Sequence, residues 1–340
     1  MGAAPPFPFS QPTQSDGFQH IASKQPPTAM HTLPLAKTNA IRRFAVLGDA
    51  GTADQGESSV THMMQQAFHQ NPFASVLVLG DNVYKTKAYG NGDPLGFENS
   101  IHKPFKPLLD AGVSFYPVLG NNDVKYVDHG ENQLHYWNRP RYYNQRIGNV
   151  ELFALDTTLF FPAYEHLYKQ TTPVLQEGAK ELAWLDQTLA KSTAKYKIVY
   201  GHYPLYSINE GYREMPGLNS GMRQLLLPML TKNHVDAYLG GHTHDYEKTG
   251  PLTPDGMRHF VSGAGGRLRD ELPPSLHPPI EKFIRERHFM IFEEKPDGLY
   301  YQTVAYNGAL LDSGMLPPKQ QAQRNTPPPL AAQHALNVRG

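Results

Sequence analysis

The residues with most chemistry to offer stand in five short motifs, each closing an apolar run. "FAVLGDAG" delivers Asp49. "LVLGDNVY" delivers Asp81, with Tyr84 three residues on. "PVLGNND" sets Asn121, Asn122 and Asp123 in a row. "IVYGHYP" delivers His202, and "AYLGGHTH" delivers His242 and His244. Carboxylate, phenolate, amide and imidazole groups all donate lone pairs to metal ions. A glycine before the polar residue lets the chain turn sharply and approach closely. Taken singly, each motif has a plainer reading. Gly-Asp after a strand is usually a turn, "GNND" suits a turn because asparagine tolerates left-handed backbone, and a lone buried histidine is usually a core residue. Five such ends in one chain are better explained together.

As a coordination problem, three histidines, two aspartates, one tyrosine and one asparagine exceed the protein ligands that one catalytic zinc takes. They suit two ions sharing a carboxylate bridge. Two metals about 3.5–4 Å apart clamp an in-line displacement at phosphorus: one lowers the pKa of a water, and the pair neutralises phosphate oxygens. Carboxylate and phenolate suit a hard trivalent ion, while imidazole and amide suit a divalent one. Asp123, beside Asn121, reads as support for a ligand rather than as a ligand. The other histidines, among them His62, His69, His234, His259, His277, His288 and His334, stand in no such motif and read as ordinary core or surface residues.

The elements around these motifs must bring them together. Apolar runs alternate with amphipathic helices. "RRFAVLGD", "SVLVLGD", "VSFYPVLGNND", "VELFALDTT", "KYKIVYGHYP", "VDAYLGGHTHDYE" and "RHFVSGAGG" read as strands. "SSVTHMMQQAFHQ", with Val60, Met63, Met64, Ala67 and Phe68 on one stripe, reads as a helix. So do "AKELAWLDQTLAKS", "SGMRQLLLPMLTKNH" and, interrupted by prolines, "FENSIHKPFKPLLDAG". After residue 288 the pattern is strand and turn, with "PDG" as a hairpin signal. This order predicts an α/β fold with two stacked mixed β-sheets flanked by α-helices. Ligands in open α/β sheets gather beyond the carboxyl ends of strands, where all five motifs lie.

The bulk composition narrows the remaining classes. The chain has 340 residues, 39% of them hydrophobic, which permits a large core. Lysine plus arginine balances aspartate plus glutamate at 31 each, with no basic block, so neither nucleic acid nor an acidic membrane is an expected partner. The absence of cysteine removes thiolate ligands, disulfides and cysteine nucleophiles. The N-terminus lacks a basic and then apolar leader pattern, and no run has the length of a membrane span. The default expectation is a cytoplasmic protein. Residues 1–38 and 316–340, rich in proline and polar residues, read as disordered arms around a catalytic domain of residues 39–315.

In chain order the series GD-x-G, GD-x-x-Y, GN-x-D/E, GHYP and GH-x-H resembles the calcineurin-like metallophosphoesterases. More narrowly it resembles the purple acid phosphatases of the small tartrate-resistant type. The likeness spans about residues 40–312 and includes "LDTT", "LAWLDQTLA", "GHYPLYSI" and "VSGAGG". The first motif carries Gly51 where most of the superfamily has histidine, and Tyr84 follows the second motif, as in the purple enzymes. The resemblance implies a four-layer sandwich fold. It implies Fe(III) at Asp49, Asp81, Tyr84 and His244. A divalent Fe, Zn or Mn would sit at Asp81, Asn121, His202 and His242, with Asp81 bridging. The implied activity is hydrolysis of small phosphomonoesters by a metal-activated hydroxide.

One position departs from the family pattern. The usual motif is Gly-Asn-His-Asp/Glu, and its histidine faces substrate and protonates the leaving group. Asn122 replaces it here, and an amide supplies no proton. Glu210 is followed by Gly211 where the small animal-type enzymes have Glu-His. Glu210 and His129 are the candidates for a substitute acid, Glu210 being favoured by its position. The departure leaves open a phosphodiesterase or pyrophosphatase on the same centre, or a metal-retaining protein with little or no turnover.

Overall fold

The computed structural model of the chain describes residues 42–84, 96, 98–125, 129–162, 171–208, 217–270 and 275–319. The expected N-terminal arm and most of the expected C-terminal one lie outside these residues. The described chain continues past residue 315, where the side chain of Lys319 pairs with Asp255 at 2.9 Å.

Two sheets dominate. The first runs β13-β12-β11-β1-β2-β3. In it β1 (Arg43–Leu47), β2 (Ser75–Val78) and β3 (Ser114–Pro117) are parallel. The strands β11 (His288–Glu294), β12 (Leu299–Ala305) and β13 (Leu310–Leu316) add an antiparallel meander beside β1. The "PDG" turn joins β11 to β12, as its sequence predicts, with Lys295 N–H donating to Gly298 O at 2.9 Å.

The second sheet runs β10-β8-β9-β7-β6-β5-β4. Its centre is parallel: β5 (Val150–Ala154), β6 (Tyr196–Tyr200), β7 (Ala237–Gly240) and β9 (Arg258–Ser262). Antiparallel strands flank it: β4 (Tyr143–Ile147) on one side, β8 (Tyr246–Thr249) and β10 (Ile280–Ile284) on the other.

The period of two along β1 shows why the apolar runs are unbroken. Phe44 and Val46 face the second sheet, packing in one core with Leu152, Ile198, Leu239 and Phe260. Ala45 and Leu47 face the other way, onto Val60, Met63 and Met64 of α1 (Gln55–Gln70) and Phe105 and Leu108 of α2 (Lys103–Asp110). On the far side, Phe153, Val199 and Tyr238 pack against Leu185 and Leu189 of α5 (Thr171–Lys191). Met222, Leu226 and Leu230 of α6 (Leu218–Lys232) complete that layer. Strands covered on both faces have no polar alternation to show. Each fully buried side chain of this kind contributes roughly 1.5–3 kcal/mol relative to exposure. The result is the expected α/β/β/α sandwich.

Three details differ from the sequence expectations. The run through "VSFYPVLGNND" stops being strand at Pro117, and α3 (Asn121–Lys125) begins with the asparagines themselves. The proline-interrupted helix is a π-helical turn, Glu98–His102, followed by α2. The sequence reading also misses β4 and β10, the edges of the second sheet, together with β8 and the short helix α4 (Glu131–Trp137). An edge strand such as "YNQRI" alternates half-buried and exposed residues before its one buried position, Ile147, and so offers no continuous apolar run. None of the described helices is long and apolar enough to cross a membrane.

Candidate metal centre

The topology aligns the motif-bearing strand ends. β1, β2 and β3 are parallel neighbours in the first sheet, and β6 and β7 are parallel neighbours in the second. Their carboxyl ends therefore emerge on one edge of the sandwich. His202 ties the sheets together there, its Nδ1 sitting 2.8 Å from Leu79 O. That carbonyl can only accept, so Nδ1 carries the proton and the lone pair of Nε2 points into the centre.

The seven expected ligands fall into two groups about Asp81. On one side the Tyr84 hydroxyl lies 3.1 Å from Asp49 Oδ1 and 3.2 Å from His244 Nε2. Donor atoms of Asp49, Asp81 and His244 all lie within 4.8 Å of one another. On the other side His202 Nε2 is 2.9 Å from Asn121 Oδ1, 3.2 Å from His242 Nδ1 and 3.5 Å from Asp81 Oδ1. Asp81 has carboxylate oxygens close to the side-chain donors of both groups.

This donor set fits cations. Asp49 and Asp81 are 0% and 1% exposed, and among the described residues no lysine or arginine pairs with either. Adjacent buried carboxylates without a counter-charge are costly. Burial raises the pKa of Asp81, the nearby Asp49 raises it further, and His202 opposes both. Burial, and then the Asp49 and Asp81 carboxylates, push the Tyr84 phenol well above its ordinary value. Burial lowers His202, but Asp81 and Asp49 outweigh it and the imidazole ends above its usual range. Burial, then His202 and His244, hold His242 well below its usual range, which keeps it a neutral donor. Bound cations reverse the penalty on phenolate and carboxylate.

The backbone carries the same mark. Asp49, Asp81, His242 and His244 have φ of 56°, 50°, 75° and 56°. A non-glycine residue in this left-handed region is uncommon, and such strain collects at functional sites. The turns also require close approach. A Cβ on Gly120 would lie 2.3 Å from both the Asp81 backbone N and Oδ1, and one on Gly241 would lie 2.5 Å from Asp49 Oδ2. Gly120 and Gly241 therefore each make room for a carboxylate of another motif.

Asn122 and Asp123 both act as braces. Asn122 donates twice to Asp81, from its backbone N–H to Oδ1 at 2.8 Å and from Nδ2 to Oδ2 at 2.6 Å. Asp123 accepts from Gly120 N–H, from both Asn82 nitrogens, from Val83 N–H and from Gln133 Nε2. It thus joins the turns after β2 and β3. The sequence reading gives Asp123 this kind of role but misses Asn82 and Gln133, which no local motif marks.

Of the candidate acids, His129 places Nδ1 3.1 Å from Val124 O, against α3, and its backbone is left-handed. Glu210 lies outside the described residues. Two histidines outside the motifs, His259 and His288, are buried in the sheets, where burial holds them at about 3 and about 4.

Comparison with known proteins agrees with this architecture. The model of the calcineurin-like phosphoesterase family matches residues 42–246. The chain is 30% identical over 267 residues to purple acid phosphatase 17 of Arabidopsis thaliana, covering 73% of this chain and 76% of that one. It is 28% identical over 250 residues to tartrate-resistant acid phosphatase type 5 of Sus scrofa, covering 66% and 70%. Among solved structures, purple acid phosphatase PPD1 from yellow lupin (Lupinus luteus) seeds superposes with a TM-score of 0.65 at 17% identity. That match covers 86% of this chain and 56% of that one, and it is a likeness of fold.

Proposed function

Because the chain belongs to the calcineurin-like phosphoesterase family, with purple acid phosphatases among its relatives, we propose that it is a binuclear metallophosphatase acting on phosphomonoesters. Hydrolysis of phosphoric esters is the activity of the group. The observation that supports two metals in this chain is the division of seven donors into two groups about the buried Asp81.

Asp49, Tyr84 and His244 would hold one ion, proposed as Fe(III). Asn121, His202 and His242 would hold the other, a divalent Fe, Zn or Mn, and Asp81 would contact both. Bound there, the ions supply an activated water and neutralise the phosphoryl oxygens. The chain's own side chains prepare the centre. Leu79 O fixes the tautomer of His202. The backbone and side-chain N–H groups of Asn122 set the plane of the Asp81 carboxylate. Tyr203 packs against His202 and His242, its ring centroid 5.4 Å and 5.0 Å from theirs, and limits their rotation.

Purified protein analysed for metal and assayed on p-nitrophenyl phosphate and bis-p-nitrophenyl phosphate tests the proposal. Two metal equivalents and faster hydrolysis of the monoester are expected; faster hydrolysis of the diester would move the assignment to a phosphodiesterase. Tyr84→Phe tests the iron site separately. The ferric wild-type protein is expected to show a visible charge-transfer band that this variant lacks. A band that survives would refute phenolate ligation.

Asn122 sets a further expectation. General acid assistance is worth about 10²–10⁴-fold, and an alkoxide leaving group needs it more than a nitrophenolate. Asn122→His is therefore expected to raise the alkyl-to-aryl ratio of kcat/KM by about tenfold or more. Metal content must be followed, since the variant also loses the Nδ2 bond to Asp81. An unchanged ratio in a leaving-group series would sink the idea.

A further inference from the structure

The helices leave part of the first sheet uncovered. On the face that carries α1 and α2, the apolar cluster takes in Phe289 and Ile291 of β11 and Val304 of β12 but, among the described residues, none of β13. The register sets two rows of side chains across this face. One runs Ala45, Ile291, Gln302, Ser313, and the other runs Arg43, Glu293, Tyr300, Met315. From β11 outward the two rows floor a groove of about 370 Å³. Lys295 borders it, its Nζ 4.6 Å from the Tyr300 ring centroid and 3.9 Å from Glu293 Oε2.

The groove lies on an apolar surface that nothing described covers. Met315 is 39% exposed. Leu310, which pairs with Val304 on the same face, is 49% exposed. With Tyr306, they are three of the six large hydrophobic side chains exposed among the described residues, and all three stand on one hairpin. Such a concentration marks an interaction surface rather than scattered exposure.

The chain itself delivers a cover to this place. Arg43 heads the second row and is the first residue of β1. Glu294 N–H donates to Arg42 O at 3.0 Å, so the backbone is held to β11 up to that point. The residues before Arg42 therefore join the sheet at the inner end of the groove. Crossing from β1 to β13 takes three strand spacings, about 14 Å, which about five extended residues span. Residues 33–41, "LPLAKTNAI", are long enough. Leu33, Leu35 and Ile41 are apolar, Pro34 favours an extended backbone, and no acid stands among them to meet Glu293.

We propose that residues 33–41 lie across this groove as an intramolecular strap, with Ile41 at its inner end and Leu33 and Leu35 toward Tyr300 and Met315. Tethering makes so small a contact sufficient, because a segment joined to the groove by a few residues meets it at about millimolar effective concentration. The strap shields the apolar hairpin from other chains. It lies at the start of β1, whereas Asp49 follows the end of that strand, and it is independent of the phosphatase reading.

The absence of cysteine makes the test clean, since engineered thiols are then the only ones. In the full chain, Ala36→Cys is paired with Ser313→Cys in the groove or, as control, with Gln70→Cys. Both partner positions are exposed, and Gln70 adjoins Asn71, whose carbonyl accepts from Arg43 Nη1, so it is equally near the root of the segment. In a glutathione buffer the groove pair is expected to close within one chain at least about tenfold more favourably than the control. Leu33→Ser with Leu35→Ser removes the apolar contacts without touching the folded domain and is expected to abolish that advantage. Without any engineered thiol, amides of residues 35–41 are expected to exchange about tenfold or more slowly in the wild type than in this serine variant. Equal closure of the two pairs, an advantage that survives the serines, or equal amide exchange would overturn the proposal. A disulfide formed mainly between chains would overturn it too, by giving the groove to a second copy.

Discussion

Asp81→Asn is expected to cost both metal equivalents and about 10³-fold or more of kcat/KM, while the chelator-treated variant melts at the wild-type temperature or above it. The first half follows from position. Asp81 lies near the side-chain donors of both groups, and loss of several kcal/mol of charge stabilisation at phosphorus corresponds to about 10³-fold in rate. The second half follows from burial. Asp81 and Asp49 are buried side by side, and among the described residues neither has an arginine or lysine partner, so a neutral isostere relieves a repulsion in the metal-free fold. The amide oxygen can still accept from Asn122 N–H, and the Asn122 side chain can rotate to offer its own oxygen to the new amide. Metal analysis, steady-state kinetics and thermal melts with chelator check the three parts. If Asp81 were a structural residue only, the melt would fall by the roughly 1–3 kcal/mol of a lost buried hydrogen-bond partner, and metal would remain.

Gly120→Ala is expected to lower both stability and activity. The added methyl would lie 2.3 Å from the Asp81 backbone N and from Oδ1, so one of the two turns must move. Overpacking of this kind costs about 1–3 kcal/mol. A displacement of about 1 Å at a reacting centre can cost about 10²-fold in rate. Thermal melts and kcat/KM on p-nitrophenyl phosphate measure both effects. Unchanged values would show that the turn has slack, and that Asp81 is less tightly placed than its contacts with Asn122 indicate.

The two substitutions separate what each residue contributes. On these expectations Asp81 serves ion binding more than the metal-free fold. Gly120 binds nothing and exists to let another motif approach. A spacing pattern records both in the same way, as a glycine and a polar residue after an apolar run. Only the packed structure shows that the glycine of one motif makes room for the carboxylate of another.

The candidate site was legible in sequence because each motif is local. An apolar run, a glycine and a polar residue within a few positions mark a strand end whatever surrounds it, and five such ends carry the seven side chains that the fold gathers at one edge. Burial on both faces made the central strands continuous apolar runs, and so the α/β class and the stacked sheets could be read as well. The edge strand β4 was not legible, because a strand buried on one face carries a weaker signal. The helical start at Asn121 was not legible either, since asparagines after a strand equally suit a turn. The rest depended on contacts between residues far apart in the chain. The division of donors about Asp81 is set by strand order across two sheets. The double hold of Asn122 on Asp81 spans 41 positions, and Arg267 reaches Tyr84 from the far end of β9. Sequence fixes which groups are available through short-range pattern. Tertiary structure decides which of them meet, because that depends on chain topology and close packing rather than on any neighbouring residue.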